Sequence, residues 1–122
     1  MAAFNWIVFY DKCPRCSTIT TIKAQCHVAS SFDGDESGRF SDRIYNLMEE
    51  IAWWPKSDTK WNKWAEVGGI LKMGDNDIQE CCYAECTNCG IDLYAIIQFK
   101  PIKAISVMEI GLEEQWPSNF KR

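Results

Sequence analysis

The chain predicts an α+β fold: an antiparallel sheet built on two Cys-x-x-Cys turns, carrying a helical, tryptophan-rich insertion between them. Three observations predict it. Strand-like runs of period two flank Cys13-Pro14-Arg15-Cys16 and Cys86-Thr87-Asn88-Cys89; apolar residues recur at helical spacing from about 42 to 53; and Trp53, Trp54, Trp61 and Trp64 crowd the stretch between the turns. At 122 residues the chain reads as one domain, 1–122, with the insertion at about 30–76.

Residues 5 to 11 predict a strand in which Trp6, Val8 and Tyr10 alternate with Ile7 and Phe9. Both faces are apolar, which places this strand inside the sheet. After the first Cys turn, residues 18 to 28 predict the return strand of a hairpin, with Ile22, Ala24, Cys26 and Val28 on its buried face. The Ser, Asp and Gly residues of 30–40 predict a loop. From 42 to 53, Ile44, Leu47, Met48, Ile51 and Ala52 fall at i, i+3, i+4, i+7 and i+8, with Ser41 or Asp42 as N-cap and Pro55 as terminator. That pattern predicts a helix. A second, shorter helix is expected over 57–69, stopped by Gly68-Gly69, and a turn over 74–77. Strands are then expected over 78–85, leading into the second Cys turn, over 91–100 leaving it, and over 104–110 after a bend at 101–103. The tail from Glu113 is expected to dock only loosely.

Composition narrows the function classes. Net charge is −4, and Asp33, Asp35, Glu36, Asp42, Glu49 and Glu50 crowd one stretch. Asp75, Asp77, Glu80 and Glu85 precede the second Cys turn with no base among them. A phosphate backbone requires the opposite sign there, which disfavours nucleic acid as a partner. The opening residues lack the basic region and cleavage site of a signal peptide, and no window reaches the roughly 20 apolar residues of a membrane span. A cytoplasmic protein without a membrane contact is therefore expected. Seven cysteines, an odd number, fit metal or redox chemistry in a reducing compartment better than a paired disulfide framework.

A Cys-x-x-Cys turn sets two sulfurs on one side of a tight bend, where backbone N–H groups can donate to them. Gly90, after Cys89, supplies the positive φ that position often requires, whereas Ser17 stands in the equivalent place after Cys16. Two such turns supply four thiolates, the complete coordination of a structural zinc ion, so Cys13, Cys16, Cys86 and Cys89 are the candidate ligands. Cys26 and Cys81 occupy core-compatible strand positions; Cys82 is a spare ligand only if Cys13 or Cys16 is displaced. Strand, Cys-Pro-x-Cys, return strand, then strand, Cys-x-x-Cys-Gly and apolar strand resembles the zinc-ribbon fold group over roughly residues 5–28 and 78–110. The resemblance implies a zinc site and an antiparallel sheet, and no particular activity.

His27 is the single histidine, so no histidine-based catalytic metal site is expected, and four cysteines leave a metal no open position for catalysis. Trp53, Trp54, Trp61 and Trp64 either fill the core or form a recognition patch rimmed by Lys56, Lys60 and Lys63. The first functional reading is a non-enzymatic zinc-binding interaction protein, for example an inhibitor or immunity-type protein that neutralises a basic partner. Its partner-binding candidates are the four tryptophans together with Asp35 and Glu36. A nucleic-acid-binding or transcription-associated zinc ribbon comes second, and a thiol oxidoreductase using Cys13 and Cys16 third.

Overall fold

The computed structural model describes residues 5–26, 44–50, 70–72, 78–100 and 103–120. Within them lie seven strands: β1 (Asn5–Lys12), β2 (Ile19–Cys26), β3 (Ile44–Asn46), β4 (Ile70–Lys72), β5 (Ile78–Cys86), β6 (Asp92–Lys100) and β7 (Lys103–Leu112). A short 3-10 turn at Glu113–Gln115 follows. One sheet joins them in the order β3-β1-β2-β5-β6-β7, and β4 pairs with β5 beside this path. Every adjacent pair is antiparallel except β1 with β3. The sheet curls until its ends meet: the Met48 N–H donates to the Ala104 carbonyl at 2.8 Å, and Glu50 bridges to Lys103 of β7. Curling gives the sheet an inside and an outside, so alternate residues of each strand meet very different surroundings.

The inside is the core. Ile7 and Phe9 of β1, Ile22, Ala24 and Cys26 of β2, Ile78, Cys82, Ala84 and Cys86 of β5, and Leu93, Ala95, Ile97 and Phe99 of β6 form one buried cluster with Tyr45 and Ala104. The period-two reading of residues 18–28 is seen in Ile22, Ala24 and Cys26, all fully buried; Val28 lies outside the described residues. Two polar residues, Asn5 and Glu80, share this interior.

The outside is less uniform than the apolar sequence of β1 suggests. β1 does lie inside the sheet, between β3 and β2, but Tyr10 is 79% exposed and Trp6 is half-buried, with the Lys23 ammonium 4.4 Å above its ring. A second small cluster covers the outer face of β5 and β6: Cys81, Tyr94 and Ile96 pack against Phe120 and Trp116 of the tail. The tail is held there rather than loose. Trp116 lies 6.2 Å from Tyr83 and 6.3 Å from Tyr94, ring centre to ring centre, and its indole N–H donates to the Phe120 carbonyl.

The α+β expectation is overturned. Strand makes up 69% of the described residues and no α-helix occurs among them. Where a helix was expected from 42, Ile44–Asn46 is extended and pairs in parallel with Trp6–Val8, and the chain then turns through Met48 at φ 71°. Ile44 and Met48, two residues of the supposed apolar stripe, are more than half exposed, while Tyr45, outside that stripe, enters the core. The open edge of β1 on one side and β7 on the other offer backbone hydrogen bonds that outweigh a weak local helical preference. The second expected helix, the 30–40 loop and the 74–77 turn lie outside the described residues. Among the described residues no helix is long and apolar enough to cross a membrane.

Candidate metal centre

Two hairpins build the site. β1 and β2 are joined by the first Cys turn, β5 and β6 by the second, and β2 pairs antiparallel with β5 so that Ile22 faces Cys86. This register sets the two turns side by side at one end of the sheet. Thr87 secures them: its N–H and its hydroxyl both donate to the Thr21 carbonyl, at 3.2 and 2.7 Å.

Each turn folds to the same local plan. The Ser17 N–H donates to the Cys13 carbonyl at 2.9 Å, and the Gly90 N–H to the Cys86 carbonyl at 2.8 Å. Cys13 N–H donates to Thr18, and Cys86 N–H to Ile91, closing each loop below. The residue after the second cysteine has positive φ in both, 61° at Ser17 and 73° at Gly90. Amides then point at sulfur: Arg15 and Cys16 N–H at the Cys13 Sγ, both 3.4 Å, and Cys89 N–H at the Cys86 Sγ, 3.5 Å.

The four sulfurs of Cys13, Cys16, Cys86 and Cys89 all lie within 4.8 Å of one another, an arrangement that could hold a metal ion. Between turns, Cys13 Sγ is 3.8 Å from Cys89 Sγ and Cys16 Sγ is 3.9 Å from Cys86 Sγ. A tetrahedron with metal–sulfur bonds of about 2.3 Å has edges of about 3.8 Å, the length of these two contacts between the turns. It is far from a disulfide, whose sulfurs stand at about 2.05 Å, and all seven cysteines are free. Hydrogen bonds from the Thr18 backbone and the Asn88 side chain lower the Cys16 thiol to about 6. At Cys89 a backbone hydrogen bond from Ile91 lowers the thiol, but burial and the neighbouring sulfurs of Cys86, Cys16 and Cys13 outweigh it and push it up to about 11. Neighbouring sulfurs this close disfavour charge on Cys89.

The remaining cysteines stay out of the site. Cys26 and Cys82 are fully buried in the core, and their thiols are raised well above 9 by burial and then by the charge of Glu80. Cys82 does not act as a spare ligand; its Sγ donates to the Glu80 carbonyl. Cys81 turns outward beneath the tail, where burial and the charges of Glu80 and Glu109 push it up to about 12.

The partner-binding candidates Trp53, Trp54, Trp61, Trp64, Asp35 and Glu36 lie outside the described residues, as do His27, Lys56, Lys60 and Lys63. Two participants had no signal strong enough to be read from the sequence. Asn88 reaches across from the second turn, its side-chain N–H pointing at the Cys16 Sγ at 3.6 Å, and Thr87 ties the hairpins. Their roles depend on the other hairpin being adjacent, which the Cys-x-x-Cys spacing alone does not state. No family model matches the chain, and searches of curated proteins and of solved structures find no match either.

Proposed function

We propose that Cys13, Cys16, Cys86 and Cys89 hold one structural zinc ion and that the protein is a non-enzymatic, zinc-stabilised interaction protein. The observation that supports the reading is the gathering of four sulfurs, two from each hairpin, within 4.8 Å of one another, with the two contacts between hairpins at 3.8 and 3.9 Å. Four protein sulfurs complete the coordination and leave no position for substrate or water. The ion would do structural work, adding a metal tie between β1–β2 and β5–β6 beside the β2–β5 pairing and the Thr87–Thr21 hydrogen bonds.

The preference for a basic protein partner draws on charge. Glu85 and Asp92 are exposed and directly opposed across β5 and β6, beside the second turn. Like charges in that position repel; Lys23 stands opposite Glu85 on β2, while Asp92 lies on the far side of Glu85 from that lysine, where a cationic surface could approach it. Asp92 also lines a shallow depression with Glu113, Glu114 and Arg15. An inhibitor or immunity-type role toward a basic protein is the form of interaction these features suit.

Elemental analysis of protein purified without added metal, with thiol counting before and after reduction, tests the reading. One zinc per chain with all seven thiols free supports it. Absence of metal with two thiols recovered only after reduction would replace it with a thiol oxidoreductase, and iron in zinc's place would make it an electron-transfer site.

A further inference from the structure

We propose that this metal centre is also an oxidation site, in which Cys89 reacts with peroxide and Cys13 resolves the product into a disulfide joining the two hairpins. The proposal rests on the zinc-thiolate reading above.

The four sulfurs are not equivalent. Cys13 and Cys86 are fully buried and belong to the core cluster, Cys16 is half-buried, and Cys89 is exposed at the tip of the second turn. A solvent-borne oxidant therefore meets Cys89 first. Across the hairpin boundary, Cys13 Sγ stands 3.8 Å from Cys89 Sγ, with Cys86 and Cys16 also within 4.8 Å. Closing that gap to the roughly 2.05 Å of a disulfide asks the two sulfurs to approach by less than about 2 Å.

The chemistry balances with hydrogen peroxide as the oxidant. In the zinc-loaded protein, where Cys89 would be a ligand thiolate, its sulfur attacks one peroxide oxygen, the O–O bond breaks, and hydroxide leaves behind a sulfenic acid. The Cys13 thiolate then attacks the Cys89 sulfur, forming S–S and expelling a second hydroxide as the S–O bond breaks. Two electrons pass from the sulfur pair to one peroxide, and solvent protons convert the hydroxides to water. Two of the four ligands are consumed, so the ion is released.

The disulfide links residues 76 apart and bridges the same two hairpins that the ion bridged. A bond within either turn would not do so. Oxidation thus exchanges a metal tie for a covalent one, and the protein gives up zinc without giving up the junction.

The test treats zinc-loaded, full-length protein with hydrogen peroxide while following released zinc with a chromogenic chelator, then maps disulfides by mass spectrometry of non-reduced digests. One zinc released per chain, in step with loss of two thiols and recovery of the Cys13–Cys89 linked peptide, is the expected result. The oxidised form should also melt above reduced protein stripped by a chelator. Zinc that stays bound with seven free thiols, a main product within one turn (Cys13–Cys16 or Cys86–Cys89), or equal melting of the two metal-free forms would each overturn the proposal while leaving the zinc reading intact. Protein that neither contains zinc nor takes it up on reconstitution would overturn both.

Discussion

Ser17 and Gly90 occupy the same place in the two Cys turns, at φ 61° and 73°, with different side chains. A β-carbon on Gly90 would meet nothing within 4 Å, so Gly90→Ala isolates the backbone cost of the left-handed conformation, about 1–2 kcal/mol. Ser17→Gly relieves that cost but adds freedom to the unfolded chain, leaving a net gain of about 0.5 kcal/mol. Urea unfolding of the two zinc-loaded variants should move in opposite directions from the parent. At the proposed zinc site, Cys86→Ala should abolish stoichiometric zinc, whereas Cys26→Ala should leave one zinc per chain and cost only the packing of a small core side chain, about 1–2 kcal/mol. Elemental analysis and unfolding of the same samples separate the two kinds of cysteine.

Between β6 and β7, Tyr94 faces Gly111, and a β-carbon on Gly111 would fall 2.5 Å from the Tyr94 ring. The ring is held by its hydroxyl, which donates to the Glu109 carboxylate at 2.6 Å. Gly111→Ala should therefore destabilise by about 1–3 kcal/mol, and much of that loss should vanish in a Tyr94→Ala background. The same outer cluster sets an alkaline limit. Burial, then the Glu109 carboxylate, push the Tyr94 hydroxyl up to about 12, and Cys81 beside it is also raised to about 12. Both groups lose their protons at lower pH in the unfolded chain, near their ordinary values of 10 and 9. The unfolded state then binds fewer protons, so their contribution is full below about pH 9 and is lost as pH rises through about 12. Chemical unfolding from pH 8 to 11 should show this decline, and a Tyr94→Phe, Cys81→Ala double variant should flatten it.

At the scale of the whole molecule, one sheet rolls on itself and four cysteines gather where its two hairpins meet. The core is contiguous, yet for a chain of this size an added cross-link matters. Structural zinc sites contribute several kcal/mol of folding free energy, so chelation should lower the melting temperature by about 10 °C or more, reversibly on zinc addition. Since thiolates bind and thiols do not, zinc release should increase as pH falls.

The local geometry was legible in the sequence: Cys-x-x-Cys spacing, Gly90, and the period-two runs around both turns announce two turns on strands, and the four cysteines that cluster are the ones that spacing picks out. Those features are set by contacts within a few residues. Residues 44–48 show where such reading stops, because Ile44, Leu47 and Met48 fit a helical stripe until the edge of β1 and the carbonyl of Ala104 are placed beside them. Which side of β5 is interior, why the adjacent Cys81 and Cys82 enter different clusters, and how Asn88 and Thr87 reach the opposite hairpin are likewise settled by pairing between distant strands. Short-range geometry is written in neighbouring residues. Strand partners far apart in the chain are decided only when the sheet closes, and closure selected extended backbone over helix.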